Sequence, residues 1–330
     1  MAATWYPIKF DILIEEKEWA GEQIEKTNFD FATGQAGDIG IYWQLVDQGD
    51  LQSQVINGPM AGSTLRQLVN DFPRELVGQK HPPDRPFPLC CRILDVGKEQ
   101  PLRVHPPGQA GGYSGSPDTN AKFWHVLAAD EKARVTAGIA QRVTGQQLIS
   151  SINKPALRDL TRAFTARGGD SFLIPPGIIH AVGAGTLVWE LKQHTNDGFS
   201  LNSGTTGEQV TKEEQEKALN SILLESRHNP RISREASGFT HTRRIPLTPH
   251  CPYFLVDEIR LFDHIILRTR GDTFHLLFVR QGHVDVFFKG TSTRVESGEL
   301  CCIPATLGEY KILQVDEPAE ILRVQQAPFT

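Results

Sequence analysis

Apolar positions along this chain change period several times, and each change marks an element. Within NGPMAGSTLRQLVNDFPRELVG, Leu65, Leu68, Val69, Phe72 and Leu76 recur at three- and four-residue steps, which predicts a helix over 63–77. The following HPPDRPFP breaks any regular element. PLCCRILDVG is rich in β formers and partly alternating, and reads as a strand. KFWHVLAAD reads as another, with 122, 124 and 126 on one face and 123, 125 and 127 on the other. Between them, 106–119 is a Gly/Pro/Ser loop. Leu148, Ile149, Ile152, Leu157, Leu160 and Phe164 keep helical spacing across 144–166, interrupted by Pro155. Two strand-like runs follow, joined by a turn around Pro176-Gly177. Residues 203–235 are polar, and KEEQEKALNSILLES within them predicts a short helix with Thr211 as its cap. From about Pro249, short strand candidates recur at intervals of roughly 10–12 residues, the pattern of an all-β barrel or sandwich.

At 330 residues the chain suggests about two domains. Its 39% hydrophobic and 22% charged residues are globular values and exclude wholesale disorder. Thirty-four Lys+Arg against 39 Asp+Glu give a net charge of −5, which argues against a nucleic-acid partner. No apolar run approaches the roughly 20 residues that span a bilayer, so no membrane association is expected. The first residues do not read as a secretory signal. The five Cys, at 90, 91, 251, 301 and 302, are odd in number and lack CxxC spacing. They suggest free thiols in a reducing, cytoplasmic setting and no thiolate zinc site.

Gly169–His180, GDSFLIPPGIIH, is the strongest local signal. A strand delivers the chain to a Pro-Gly turn, and the turn points His180 back across the sheet. Metal sites on double-sheet barrels of the cupin type use such a His, because a rigid strand start holds the ring still. Leu102–Pro106, LRVHP, is the second: Arg103 and His105 share one strand face, and His105 is a natural companion for His180. Each His taken alone also reads as an ordinary satisfied histidine. By strand parity His125 and His194 fall off this face and read as surface or second-layer residues. His275 and His283 show no ligand spacing and receive no role.

Most of the chain resembles the type I phosphomannose isomerases, which interconvert mannose 6-phosphate and fructose 6-phosphate. The likeness runs through WAGEQIEK, GDIGIYWQLVD (with Gln44 where the family has Glu), VINGPMAGSTLRQLVNDFPRELVG, RVHP, AKFW, IPPGIIHAVGAGTLVWELKQ and GELCCIPATLGEY, all in order. It implies a mainly β fold of two cupin-type (double-stranded β-helix, jelly-roll) barrels with helical elaboration. The expected layout is an N-terminal cupin domain over 1–205, carrying the site and the helices 63–77 and 144–166. A helical linker over 206–248 and a C-terminal cupin-like β domain over 249–330 complete it. The family implies zinc and a sugar phosphate as small-molecule partner.

Residue by residue, the likeness puts His105 on the His of the family's Q-V-H-P motif and His180 on that of P-x-G-x-x-H-A, both metal ligands. Arg103 stands where that first motif has its ligand Gln, and Lys122 where K-T-E-C-W has its ligand Glu. Glu190 and Gln193 are kept from E-x-Q-Q-x-S-D-x-T-Y-R. Lys192, Thr195, Asn196, Phe199 and Ser200 stand where Gln, Ser, Asp, Tyr and the catalytic Arg are expected.

Only two of four expected ligands therefore remain, whereas catalytic zinc normally keeps three or more protein ligands. A cation about 4 Å from zinc repels it by roughly 4 kcal/mol or more per unit-charge pair at an effective dielectric near 20. These substitutions predict a site that binds zinc weakly or not at all. Arg103 and Lys122 would then supply the positive charge, with Glu190 as candidate base or counter-ion. A plainer alternative is that Lys122 pairs with a carboxylate in an inactive pocket. The expected assignments are Lys122 and Glu190 as catalytic groups and Arg103, Lys192 and Ser200 as substrate contacts; the loop 108–119 lies close to this pocket, and motif spacing does not decide whether it is a lid. An aldose–ketose isomerase working through an enediol is one function. A sugar- or anion-binding regulatory protein descended from the family is a second, and an iron or manganese cupin reaction a third.

Overall fold

Strand Thr186–Gln193 lies at the centre of the N-terminal part, paired antiparallel to Leu89–Val96 on one side and Lys122–Ala129 on the other. These belong to a seven-stranded antiparallel sheet that runs Arg231–Ile232, Ser171–Ile174, Lys122–Ala129, Thr186–Gln193, Leu89–Val96, Ile39–Leu45, Leu13–Glu16. A five-stranded sheet faces it, in the order Thr161–Thr165, Arg134–Ile139, His180–Val182, Arg103–Val104, Phe199–Ser200. The C-terminal part is an eight-stranded antiparallel sheet dominated by Phe254–Leu261, His275–Phe288 and Glu309–Gln326. In this computed structural model the described residues are 4–32, 37–82, 84–107, 120–140, 143–193, 198–202, 210–224, 229–232 and 240–327. Two cupin-type β barrels with helical elaboration account for the architecture. Among the described residues no helix is long and apolar enough to cross a membrane.

The central sheet has two working faces, because side chains alternate along each strand. Phe123, Trp189, Leu191, Cys91 and Ile93 point to a core shared with Phe254, Phe274, Phe278 and Val324 of the C-terminal sheet. Trp189 stacks on Phe278, centroids 4.9 Å apart and planes 11° from parallel. Gln44 bridges the same seam, accepting from Trp189 Nε1 at 2.8 Å and donating to the Gly298 carbonyl. Strand Ile8–Lys9 pairs with Leu300–Ile303, so the beginning of the chain belongs to the C-terminal sheet. Trp124, Val126, Val188, Leu94 and Trp43 fill the first barrel from the other face. That face carries the polar site.

Several elements differ from the sequence expectation. The helix expected over 63–77 is two pieces, Leu65–Asp71 and Pro73–Leu76. Thr64 and Gln67 form a capping box at its start, while Phe72 (φ −139, ψ 49) leaves the helical region because Pro73 crowds the residue before it. The helix expected over 144–166 ends at Ser151. Asn153 takes φ 57, Pro155–Leu160 is a 3₁₀ turn, and Thr161–Thr165 is a strand pairing with Arg134–Ile139. The helical spacing at Leu157, Leu160 and Phe164 was coincidental: Phe164 instead meets Phe172 at 5.6 Å. Between 206 and 248 the described residues contain helix Lys212–Asn220, capped by Thr211, and strands Arg231–Ile232 and Arg243–Pro246. Among the short strand candidates after Pro249, the segments FHLLFVRQG and HVDVFFKG join in one strand, His275–Phe288, with register shifts around Gln281 and Gly282 at φ 76.

Candidate functional site

Two short strands bring the histidines together. Arg103 pairs with His180 across the five-stranded sheet, and Ser200 pairs with Arg103 on its other side. His105 leaves the same strand one residue on, and its carbonyl accepts from Gly177 N at 2.7 Å. Gly177 is the turn glycine of the PPGIIH motif and takes φ 86, where a side chain would be strained. The turn is thus tied directly to the other motif. The rings of His105 and His180 stack with centroids 5.2 Å apart and planes 14° from parallel. Trp124 meets His180 edge-on at 5.5 Å. Gly198, at φ 80, packs so closely that a Cβ there would lie 2.7 Å from the His105 ring.

Both rings are buried and their Nε2 atoms have no hydrogen-bond partner among the described residues. His180 Nδ1 lies 2.8 Å from the Ile178 carbonyl, which can only accept. Nδ1 therefore carries the proton, and Nε2 presents a lone pair. Burial and the nearby Lys122 push the His180 pKa down to about 3, and the same causes hold His105 far below the usual imidazole range. Both rings are neutral at physiological pH.

Glu190 is the charged centre of the adjoining sheet. Arg92 donates to its Oε1 through Nε and Nη2, each at 2.7 Å. Trp124 Nε1 donates to Oε2 at 2.7 Å, and Lys122 Nζ lies 3.3 Å from the same oxygen. Burial alone would raise the carboxyl pKa, but Arg92, Lys122 and Lys192 outweigh it and hold the group well below the usual carboxylate range. Lys192 is buried with Nζ 5.7 Å from the Trp43 ring centroid, and Arg92 lies over the same ring at 4.7 Å. A cavity of about 390 Å³ opens here, lined by Arg103, Lys122, Trp124, His180 and Glu190, with Trp19, Trp43 and Pro101 as apolar wall.

The five cationic or histidine positions singled out in the sequence, Arg103, His105, Lys122, His180 and Lys192, thus surround one region with Glu190. Ser200 lies beside them, its backbone N–H donating to Glu214 Oε1 at 3.0 Å. His125 is off the ligand face, as parity indicated. Of the surface and second-layer alternatives it takes the second: it is buried, with Nδ1 2.9 Å from Ser171 Oγ. His194, Thr195, Asn196 and the loop 108–119 lie outside the described residues. Sequence reasoning missed Arg92, whose guanidinium completes the Glu190 cluster. The signal available was its parity with Leu94 and Val96 on the predicted strand PLCCRILDVG.

The donor set does not fit a catalytic zinc ion. Two imidazole Nε2 atoms are available, yet the neighbouring carboxylate is engaged by Arg92, Trp124 and Lys122. No group of three His, Cys, Asp or Glu converges among the described residues. Two cations stand on the same wall.

A cationic cavity therefore lies in the first of the two antiparallel β barrels. No family model matches the chain. It is 25% identical to mannose-6-phosphate isomerase ManA of Bacillus subtilis (strain 168) over 316 residues, 94% of this chain and 96% of that protein. It is 24% identical to the probable mannose-6-phosphate isomerase GmuF of the same organism over 315 residues, 93% and 96% of the two chains. Its fold matches the crystal structure of the mannose 6-phosphate isomerase from Bacillus subtilis with a TM-score of 0.77 at 21% identity, covering 97% of this chain and 99% of that one. A putative mannosephosphate isomerase from Archaeoglobus fulgidus matches with a TM-score of 0.74 at 18% identity, covering 97% and 98%. Over more than nine-tenths of its length the chain is thus similar to curated mannose-6-phosphate isomerases, and it shares their fold.

Proposed function

We propose that this protein acts on a hexose 6-phosphate as an aldose–ketose isomerase, through an enediol and without zinc. The observation that carries the proposal is the co-linear likeness to curated mannose-6-phosphate isomerases over more than nine-tenths of the chain. Isomerisation moves a proton between C1 and C2 and needs a base together with positive charge at the two oxygens. Lys122 and Arg103 supply that charge at the cavity wall. Glu190, filled by Arg92, Trp124 and Lys122, serves as counter-ion and positions Lys122. His180 Nε2 is the unpartnered basic nitrogen on the wall, and the entry of an anionic substrate raises its proton affinity. Arg103 and Ser200 are the substrate contacts, and Lys192 adds to the local positive field. The five cysteines are unbridged and buried, which supports a reducing compartment, and we read the protein as cytoplasmic.

Turnover of mannose 6-phosphate to fructose 6-phosphate, measured with and without added zinc alongside metal content, tests this reading. Metal-free turnover lost in His180→Gln and Arg103→Ala supports it. Stoichiometric zinc with zinc-dependent turnover refutes the metal-free site. A second reading, a sugar-phosphate-binding protein without turnover, is favoured by the saturation of Glu190. It would show thermal stabilisation by mannose 6-phosphate and no product.

A further inference from the structure

The C-terminal barrel has a polar mouth of its own, remote from the histidine pair. A cavity of about 500 Å³ opens there. Lys80, Arg244, Arg268, Arg270 and Arg323 line it, against one lining carboxylate, Asp272. Lys80 is brought in by the segment after the Pro73–Leu76 helix, where Gln79 N–H donates to the Gly271 carbonyl at 3.0 Å. Arg323 is buried on strand Glu309–Gln326, opposite Asp257 in the register and ion-paired with it. Arg244 Nε stands 3.8 Å from the same Asp257 oxygen. One carboxylate therefore serves two guanidiniums.

Three features go beyond a neutralised barrel end. Arg323 Nε is buried and has no hydrogen-bond partner among the described residues. Arg268 and Arg270 are exposed and make no ion pair among those residues. His275, on the inner face, is hydrogen-bonded through Nδ1 to Tyr310 OH at 2.6 Å and adds no negative charge. A concave, water-accessible site with this surplus of guanidinium N–H groups matches the fork geometry and charge of a phosphate. Its volume admits more than an inorganic ion. No tryptophan, tyrosine or phenylalanine lines it, so it offers no platform for a nucleobase, while Gln325 and Gln326 add amides suited to hydroxyl groups.

We infer that the mouth of the second barrel is a separate anion site, which takes the phosphate group of a small non-aromatic organic phosphate. The site is independent of the isomerase reading, since it shares no residue with the first cavity.

Isothermal titration of the full chain with inorganic phosphate at low ionic strength tests it. Arg268→Ala/Arg270→Ala alters exposed positions and is compared with the wild type and with Arg103→Ala, the latter removing a cation of the first cavity. Loss of at least about tenfold in one class of phosphate sites is expected in the double variant, with that class intact in Arg103→Ala. Crystals soaked in selenate are expected to show an anomalous peak within hydrogen-bond reach of Arg323 and Arg270. Unchanged phosphate affinity and stoichiometry in the double variant, or a selenate peak confined to the first barrel, overturns the inference. Glycerol 3-phosphate is expected to bind at least as tightly as inorganic phosphate. Stronger binding of adenosine monophosphate than of glycerol 3-phosphate overturns the non-aromatic assignment.

Discussion

His105 and His180 stack 5.2 Å apart at 14° from parallel, each with a buried, unpartnered Nε2. The pairing of Arg103 with His180 and the Gly177–His105 backbone bond fix this relation before any ligand enters. The same wall carries Lys122 in ion pair with Glu190. A pair of neutral bases beside fixed cations is suited to anions and unsuited to a divalent metal.

Replacing the two cations should reverse that preference. Arg103→Gln/Lys122→Glu removes both repulsive charges and adds a carboxylate facing the imidazoles. Zinc affinity is expected to rise at least about a hundredfold over the wild type, approaching one ion per chain. Metal analysis after dialysis against buffered zinc checks this, and equal zinc content in both proteins would count against the electrostatic account.

Glu190→Gln should strongly destabilise the fold. The substitution leaves Arg92 and Lys122 buried beside a neutral amide, a loss of about 3–5 kcal/mol in urea unfolding at pH 7. The pH dependence has a definite sign. Because the folded pKa is lowered from 4.5, the carboxylate's contribution is whole above the unfolded pKa and drains away as pH falls towards the folded one. Stability curves of wild type and variant should therefore converge below about pH 4.5.

His275 provides a second acid-limb test. Burial, then Arg323 and Arg244, push its pKa down from 6.5 to about 3, so the folded ring stays neutral while the unfolded ring takes up a proton. Its contribution is complete above pH 6.5 and falls by roughly 1.4 kcal/mol per pH unit between 6.5 and 3. Chemical denaturation of His275→Gln across that range should show a shallower slope than the wild type. Parallel slopes would mean that the ring already titrates in the folded state.

Gly198→Ala probes the support of His105 without altering a charge. The new Cβ meets the ring at 2.7 Å from a backbone at φ 80. A loss of about 1–3 kcal/mol is expected, together with weaker mannose 6-phosphate binding in titration. Full stability with unchanged binding would show that the ring has room to move.

The chain's own pattern carried several of the barrel strands, the helix cap at Thr211, and both histidine motifs. Alternation over KFWHVLAAD put Lys122 and Trp124 on one face and Phe123 on the other, and the two cores divide along that line. Local chemistry of this kind is written in neighbouring residues. The strand at Thr161–Thr165 was hidden because its apolar spacing mimics a helix, and only its pairing with Arg134–Ile139 decides the matter.

By itself, the sequence determined that Arg103 and Lys122 stand where the motifs it resembles carry Gln and Glu, since residue identity is covalent. Only the tertiary structure decided how Lys122 is engaged. Arg92, Trp124 and Lys122 converge on Glu190 from separate strands of one sheet, and that convergence turns a candidate base into a counter-ion. Arg323, Arg244, Arg268, Arg270 and Lys80 likewise become one field only where strand register and loop docking bring distant segments together. Coulomb interactions depend on distance in space, and strand periodicity along the chain does not encode that distance.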